Sequence, residues 1–269
     1  MLFATEACKQ QLPEKMAEFL GELDFESRKI VVQIFSTVMR IQIGTTYPGL
    51  VYIREHPRLL DVLFEGYSDP QVALNYGQMI RECLRHEEIA QDFLRSALFK
   101  ELIIKLEVDE FDVASDAFLT FKDVLTRHKH VVAQYLTENY SDFVGCYRAL
   151  LESQNYVTRR QSVKLLGELL LDRENVKAMM RYVSEVDNLV LMMNLLKDSS
   201  KSIQFEAFHV FKVFVANPKK TPAIAEVLYK NKDKLLRYLA DFHNDRDDKL
   251  FKEEKEVIIR EIEELQPPA

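Results

Sequence analysis

Glycine and proline are scarce in this chain of 269 residues, which holds seven of the first and eight of the second. A globular chain of average composition carries roughly 12% of the two together. Because turns, bulges and strand ends depend on these residues, their scarcity argues against a turn-rich sheet fold. No proline lies between Pro70 and Pro218. This long interval favours helices joined by short links.

Cysteine is also sparse. Cys8, Cys83 and Cys146 are odd in number and far apart, so neither a disulfide framework nor a paired metal knuckle can be drawn. No run of eighteen apolar residues occurs, and the first six residues lack the basic start of a secretory signal. We therefore expect a chain that neither spans a membrane nor is exported, and that resides in the reducing cytoplasm.

The balance of charge limits the partners. A formal net charge of -7 gives an acidic surface, which repels phosphate backbones and anionic lipid headgroups. Neither a nucleic acid nor a membrane is therefore expected as a partner. The hydrophobic content of 47% is sufficient for a continuous core.

A helical repeat runs along the chain. Buried-type residues at offsets 0, 4, 5, 8, 11 and 12 form one face of a 3.6-residue helix, and this template starts at residues 27, 72, 113, 158 and 203. The period of 45, 41, 45 and 45 residues is typical of armadillo and HEAT repeats. The five copies read Ser27, Val31, Val32, Phe35, Val38, Met39; Val72, Tyr76, Gly77, Ile80, Cys83, Leu84; Val113, Ala117, Phe118, Phe121, Val124, Leu125; Thr158, Ser162, Val163, Leu166, Leu169, Leu170; and Ile203, Ala207, Phe208, Phe211, Phe214, Val215.

Shorter apolar helices are predicted between the templates, so each repeat contains two or three helices. They cover 59–64, 89–106, 131–151, 176–196 and 224–239. One repeat cannot bury its apolar stripe alone, and stacking the repeats creates the core. The predicted fold class is all-α, an armadillo/HEAT-like right-handed superhelix with a concave groove, in a single domain over residues 1–269. A charged helix at about 250–265 is expected to cap the stack.

Sites for chemistry are not evident. The six histidines form no HExxH pair, and His128 and His130 should point in different directions on a helix, so we favour helix-end capping over a zinc site. The acidic stretch 244–248 lacks the glycine and final glutamate of an EF-hand. The acidic stretch 109–116 precedes or opens a template helix, where capping explains it. We expect no enzyme, no cofactor and no metal, because no nucleophile elbow or phosphate loop occurs.

A candidate partner-binding stripe lies beside the core positions. Offsets -2, +2 and +6 fall on the flank of a template helix, and in the fourth template they are Tyr156, Arg160 and Lys164. One aromatic ring with two cations is typical of a hot spot for a protein partner. Phe25 and Phe111 occupy offset -2 in their own templates. The alternative is that these rings pack against the preceding helix of their own repeat.

Long stretches of the chain resemble the mouse protein 25 family, also called calcium-binding protein 39. The stretches are FDVASDAF at 111–118, NYVT at 155–158, QSVKLLGELLLDR at 161–173, LMMNLL at 191–196 and IQFEAFHVFKVFVANP at 203–218. The similarity extends from about Asp24 onward, and the chain starts later than the family by roughly a repeat and a half.

The resemblance implies an armadillo-like scaffold for protein kinases. Its expected partners are a STRAD-like pseudokinase, a liver kinase B-type kinase bound through that pseudokinase, and germinal-centre kinases. The resemblance places residues matching Phe111, Tyr156, Arg160 and Lys164 on the concave surface that grips the kinase fold.

A second pocket is implied near the C-terminal end. In the family it takes a Trp-Glu-Phe tail of the pseudokinase, and Arg173, Met193 and Lys230 match its positions. A cation would meet the acid of the tail, and Met193 would supply adaptable apolar contact. Val176 stands beside this pocket where relatives often carry phenylalanine, so the affinity or sequence of the tail is expected to differ.

Three functions are therefore compared. The leading hypothesis is a non-catalytic activator that binds the closed, active-like kinase conformation better than the open one. The alternative is a generic armadillo-type adaptor whose groove binds extended peptides. An enzyme in a helical fold is the least favoured, because the sequence offers no paired catalytic residues.

Overall fold

The computed structural model describes residues 2–267. Over that range the chain is helical, with 18 α-helices and two short 3-10 helices, Leu20–Glu22 and Arg173–Asn175. The described residues contain no strand, only an isolated bridge between Ile43 and Thr46. In chain order the α-helices are α1 (Leu2–Lys9), α2 (Leu12–Phe19), α3 (Phe25–Arg40), α4 (Pro48–Glu55), α5 (Arg58–Gly66), α6 (Ala73–Cys83), α7 (Glu87–Arg95), α8 (Ala97–Lys105), α9 (Phe111–Thr126), α10 (Lys129–Glu138), α11 (Tyr140–Leu151), α12 (Tyr156–Leu171), α13 (Val176–Tyr182), α14 (Val186–Leu195), α15 (Lys201–Ala216), α16 (Pro222–Lys230), α17 (Lys232–Asp241) and α18 (Lys249–Glu263).

The five sequence templates correspond to five helices, α3, α6, α9, α12 and α15. Every template position is buried except Ser27, Val31 and Phe118, which are half-buried. The segments between the templates are helical as predicted, and most of them are broken into two shorter helices. The all-α helical-repeat class predicted from the sequence is confirmed.

The chain divides into two compact units, one ending at Tyr140 and the other beginning at Ser141. In the first unit α3 packs on α6, and α6 packs on α9. In the second unit α12 packs on α15, and α15 packs on α18. The expected single domain over the whole chain stays a prediction.

The C-terminal helix α18 is present where a capping helix was expected. It buries Phe251, Lys255, Ile258 and Ile262, a stripe of helical spacing, while most of its other side chains are exposed. The buried Lys255 ammonium donates to the carbonyl oxygen of Phe242 at 3.0 Å. This stripe therefore packs on the rest of the second unit, and most of the other charged side chains of α18 are exposed.

Two histidines join template helices to their neighbours. Nε2 of His86 donates to the carbonyl oxygen of Met39 at the end of α3, and Nε2 of His128 donates to that of Leu84 after α6, each at 3.0 Å. These bonds satisfy carbonyl groups that a helix C-terminus leaves without a partner. The helix-end role predicted for histidine is thus observed at two positions, 42 residues apart.

His128 and His130 do not diverge as expected. Nδ1 of His128 lies 4.0 Å from the carboxylate of Glu87, and Nε2 of His130 lies 2.9 Å from the same carboxylate. The helical geometry assumed for this pair does not hold, because His128 has a non-helical conformation and α10 begins only at Lys129. Among residues 2–267, no cluster of three or more His, Cys, Asp and Glu side chains is arranged to hold a metal ion.

Asp116 belongs to a buried polar network, which corrects the capping role expected for it. Its carboxylate accepts two hydrogen bonds of 2.9 Å from Arg81 and one from the hydroxyl of Tyr67. Burial, with the nearby Asp116 charge, raises the pKa of Tyr67 far above its usual value. Gly77 leaves room for this network, since a Cβ at that position would overlap the Asp116 carboxylate and the Tyr67 ring.

Within residues 2–267, no helix has both the length and the apolar character needed to cross a bilayer.

Candidate partner-binding surface

Helix α12 is fixed at its start and along its buried face. The Asn155 side-chain oxygen accepts from the backbone N–H groups of Val157 and Thr158 at 2.9 and 3.4 Å, so the helix begins at Tyr156. Thr158 and Ser162 are buried, and the hydroxyl of Tyr147 donates to the Ser162 carbonyl at 2.8 Å. These contacts set the rotation of α12 and therefore decide which side chains face outward.

The outward side chains are the three predicted from periodicity. Tyr156 is 43% exposed, and Arg160 and Lys164 are both exposed at i+4 and i+8 from it. Phe25 and Phe111, at the same template offset in the first unit, are 65% and 63% exposed. These exposed fractions give no support to the alternative that the rings pack against a preceding helix, and the choice between the two stays a prediction.

The Tyr156 phenol has an electrostatic environment set by the neighbouring repeat. Hydrogen bonds with Ser200 and Ser202 lower the pKa of the Tyr156 phenol, and the charge of Arg160 lowers it further. Ser200 also caps α15, accepting from the backbone N–H of Ile203.

Arg159 and Arg160 are adjacent in sequence and differ in role. Nε of Arg159 lies 3.3 Å from the Asp198 carboxylate, and its Nη1 donates to the Ser153 carbonyl at 2.5 Å. Both side chains of the Arg159–Asp198 pair are largely buried. Among the described residues, Arg160 and Lys164 form no ion pair within 4 Å with a carboxylate. One arginine therefore braces the loop before α15, and the other is exposed.

Glu206 is a residue of this surface that sequence reasoning missed. It lies half-buried on α15, where burial raises the pKa of its carboxyl group and the charges of Lys164 and Arg160 oppose that rise. Glu206 occupies offset +3 of the fifth template. Aligning the fourth and fifth templates side by side would have placed it next to Arg160 and Lys164. The surface, defined by Tyr156, Arg160, Lys164 and Glu206, is suited to binding and presents no nucleophile with an adjacent base.

Phe111 lies in the first unit, where it is the first residue of α9. Leu119, two helical turns further along, is 53% exposed. These two exposed apolar side chains lie about 12 Å apart along α9. The prediction that Phe111 shares one binding surface with the α12 stripe stays a prediction.

The four residues predicted for the tail pocket lie in the second unit. Arg173 is exposed in the 3-10 helix after α12, and Val176, the first residue of α13, is 49% exposed. Met193 is half-buried on α14, and Lys230, which ends α16, pairs with Glu226. Helices α14 and α16 pack together, which places Met193 and Lys230 on neighbouring elements. Their convergence on one pocket stays a prediction.

Comparisons with known proteins agree with these features. A family model described as Mo25-like matches residues 2–266. The chain is 64% identical over 260 residues to the degreening-related gene dee76 protein of Auxenochlorella protothecoides, covering 96% of this chain and 81% of that protein. It is 52% identical over 248 residues to calcium-binding protein 39-like of Homo sapiens, covering 92% of this chain and 74% of that protein.

Solved structures of helical repeats are also similar. A designed armadillo repeat protein in complex with the peptide (KR)4 matches with a TM-score of 0.55 at 12% identity, covering 93% of this chain and 98% of that one. At this identity the likeness concerns the fold alone, and it assigns the helical repeat to the armadillo type.

Proposed function

The chain belongs to the Mo25-like family of scaffold proteins, and we propose that it is a non-catalytic activator that binds a protein kinase or pseudokinase through the surface around Tyr156, Arg160 and Lys164. The proposed partners are a STRAD-like pseudokinase, with a liver kinase B-type kinase joined through it, and germinal-centre kinases. The proposed location is the cytoplasm. Phe111 is proposed to contribute to the same contact from the first unit.

The observation that carries this proposal is the exposure of one ring and two cations on a helix whose other face is locked. Tyr156, Arg160 and Lys164 are uncovered, while Asn155, Thr158 and Ser162 hold α12 in place. A rigid surface loses little entropy on binding, and an aromatic ring beside cations is the composition of interface hot spots.

The proposed mechanism is a population shift. A scaffold that binds the closed kinase conformation tenfold more tightly than the open one stabilises the closed state by about 1.4 kcal/mol. No chemistry by the scaffold is needed. The size of the activation is set by the difference between the two affinities.

A kinase assay tests the proposal. Purified chain is added to a germinal-centre kinase domain, and substrate phosphorylation is compared with that given by the Tyr156→Ala, Arg160→Ala double variant. We expect the double variant to need roughly tenfold or more protein for the same activation. Lys249→Ala is the matched control, because Lys249 is 91% exposed and pairs only weakly with Glu253. Equal activation by wild type and double variant would reject this surface.

The peptide-adaptor alternative predicts a different result. An adaptor for extended peptides would bind unfolded segments of a client as well as its folded kinase domain. Binding that is lost when the kinase domain is thermally unfolded supports the activator, and binding that persists supports the adaptor.

The tail pocket is proposed as a second contact for a pseudokinase with a Trp-Glu-Phe end. Met193 and Lys230 lie on packed helices, and Val176 leaves an exposed position smaller than phenylalanine. We expect Val176→Phe to tighten binding of a synthetic Trp-Glu-Phe peptide and Lys230→Ala to weaken it, as measured by calorimetry. Unchanged affinity in both variants would place the tail elsewhere.

A further inference from the structure

Three hydroxyl groups of the chain stand in sequence patterns that two broad classes of protein kinase phosphorylate. Arg159 lies three residues before Ser162, and Arg181 lies three residues before Ser184, which is the pattern read by arginine-directed kinases. Thr221 is the one serine or threonine that is followed directly by proline, the pattern read by proline-directed kinases. A kinase acts on an exposed, extended segment, so burial decides which of the three is a substrate in the folded chain.

Neither arginine-directed position is accessible in the folded chain. Ser162 lies in the middle of α12 and is 0% exposed. Ser184 directly follows Tyr182 and Val183, which are both buried. A kinase that reads the residues before Ser184 would have to pull these two side chains out of the core.

Thr221 lies on the short segment between α15 and α16, and its neighbours are exposed. Pro218 and Lys219 are exposed before it, and Pro222 and Ala223 are exposed after it. The backbone of Thr221 is extended, with φ of -67° and ψ of 153°, as the residue before a proline prefers. The segment therefore already has the conformation of a kinase substrate while both flanking helices are intact.

The hydrogen bonds that hold this segment are local. The Thr221 hydroxyl oxygen caps α16 by accepting from the backbone N–H of Ile224 at 3.4 Å, which is a long hydrogen bond. Asn217 accepts from the backbone N–H of Lys219, and the Lys220 ammonium donates to the Asn217 carbonyl, each at 2.9 Å. Releasing the Thr221 hydroxyl therefore breaks one long hydrogen bond at the start of α16.

The charges beside Thr221 suit a phosphate group. Lys219 and Lys220 directly precede it, and the Lys220 ammonium has a carbonyl oxygen as its hydrogen-bond acceptor. Burial lowers the pKa of Lys220, and the charge of Glu261 on α18 opposes that shift. A phosphate on Thr221 would add negative charge beside both ammonium groups and at the N-terminal end of a helix, where such charge is favourable.

We infer that Thr221 is a phosphorylation site for a proline-directed serine/threonine kinase, and that Lys219 and Lys220 hold the phosphate at the start of α16. The Thr221 hydroxyl oxygen attacks the terminal phosphorus of ATP bound to that kinase. A new O–P bond forms, the bond between that phosphorus and its bridging oxygen breaks, ADP leaves, and the hydroxyl proton passes to the kinase's catalytic base. This inference does not require the partner of the Tyr156 surface to be a kinase, so it stands independently of the proposed function.

Phosphorylation of the full chain by a proline-directed kinase domain tests the site. The chain is incubated with the kinase and ATP, and the phosphate is located by mass spectrometry of peptides. We expect one phosphate per chain, at Thr221, and none in Thr221→Ala. Pro222→Ala should be phosphorylated roughly tenfold more slowly, because it removes the residue that this class of kinase reads. Pro218→Ala is the matched control and should keep the wild-type rate, since it removes an exposed proline from the same segment.

Two peptides separate accessibility from sequence. A synthetic peptide of residues 215–227 should be phosphorylated at Thr221 at a rate within roughly tenfold of the folded chain. A peptide of residues 156–168, given an arginine-directed kinase, should be phosphorylated at Ser162, whereas the folded chain should not. Phosphorylation of Thr221 in the peptide but not in the folded chain would overturn the inference, and so would equal rates for Pro222→Ala and Pro218→Ala.

Hydrogen exchange tests whether the two lysines hold the phosphate. Peptides from the start of α16 should exchange roughly two- to fivefold more slowly after phosphorylation of Thr221. The slowing should be smaller in the Lys219→Ala, Lys220→Ala double variant, which keeps the phosphorylated residue and its proline. Exchange that is unchanged by phosphorylation, or slowed equally in the double variant, would overturn the assignment of the phosphate to these lysines.

Discussion

Arg159 and Arg160 differ in their expected contribution to stability, although they are neighbours on α12. Arg159→Ala removes the ion pair with the largely buried Asp198 carboxylate, which still accepts from the backbone N–H of Ser200. It also removes the hydrogen bond to the Ser153 carbonyl. We expect it to lower the free energy of unfolding by about 2–3 kcal/mol. Arg160 is exposed, and Arg160→Ala should change that free energy by no more than about 0.5 kcal/mol.

Urea unfolding of both variants, followed by circular dichroism, checks this prediction. Partner binding should show the reverse order, because only Arg160 is presented outward. Equal loss of stability in the two variants would contradict the different roles assigned to these side chains.

Gly77 and Gly145 are both helical glycines and provide a second comparison. A methyl group at Gly77 would overlap the Asp116 carboxylate and the Tyr67 ring, so we expect Gly77→Ala to destabilise the chain by roughly 2–4 kcal/mol. Nothing lies within 4 Å of the corresponding position at Gly145, an exposed residue of α11. There alanine should stabilise by about 0.5–1 kcal/mol, since it lowers the entropy of the unfolded chain. Thermal and urea unfolding measure both, and effects of the same sign would contradict the prediction.

At the scale of elements, the turn between α17 and α18 contains a buried histidine. His243 is 8% exposed and has a left-handed backbone, with φ of 51°. Burial lowers its pKa below 6.5, the charges of Arg246, Lys201 and Lys255 lower it further, and Asp245 opposes them. The unfolded chain therefore binds this proton more tightly than the folded one. The contribution of the neutral His243 ring to the free energy of unfolding is fully present above pH 6.5, and it is lost as the pH falls below that value.

A variant without this titrating group should be less sensitive to acid. His243→Asn keeps a residue that accepts positive φ, and its stability should fall less between about pH 7.5 and about pH 5.5 than that of wild type. Burial also lowers the pKa of His86 and His209, so some pH dependence should remain. The urea midpoint at each pH is the measurement. Equal pH slopes for wild type and variant would show that His243 does not contribute.

The repeat helices were predictable because their signal is local and recurs. One buried stripe per template located α3, α6, α9, α12 and α15, and the same stripe fixed Tyr156, Arg160 and Lys164 as outward positions. Two or three helices per repeat were predicted, but the positions of the breaks within the intervening segments were not. Helix α7 ends before Ser96, whose backbone is extended and whose hydroxyl donates to the Phe93 carbonyl. The spacing of apolar residues does not predict this helix end.

Contacts between repeats were harder to predict than the repeats themselves. Asp116 suited an N-terminal capping role, yet it pairs with Arg81 across α6 and α9. The position of Glu206 beside Lys164 and Arg160 likewise depends on which helix packs against which. A template defines the buried face of one helix. The features above depend instead on how two helices are aligned with each other, and the spacing of residues within a single helix does not determine that alignment.

For the whole molecule, charge is distributed unevenly with respect to the proposed function. The chain carries a formal net charge of -7, yet the Tyr156 stripe presents two cations. A partner that meets this stripe with an acidic surface is attracted locally and repelled by the rest of the chain. Salt screens charges over about 8–10 Å near physiological ionic strength. It therefore weakens the distant repulsion more completely than the close contacts.

Association of the chain with a kinase domain should accordingly depend on salt in a way that reveals the stripe. In wild type the local attraction and the general repulsion oppose each other, so the association rate should change little with added salt. In Lys164→Glu the new carboxylate cancels the charge of Arg160, so the local attraction is lost and the general repulsion remains. We therefore expect a rate roughly tenfold lower at low salt that rises as salt is added. Stopped-flow fluorescence across a salt series measures these rates, with Lys249→Glu as a control for the same change of charge elsewhere on the surface. A Lys164→Glu variant with the same rate and salt slope as Lys249→Glu would place the kinase contact away from α12, whatever the degree of activation.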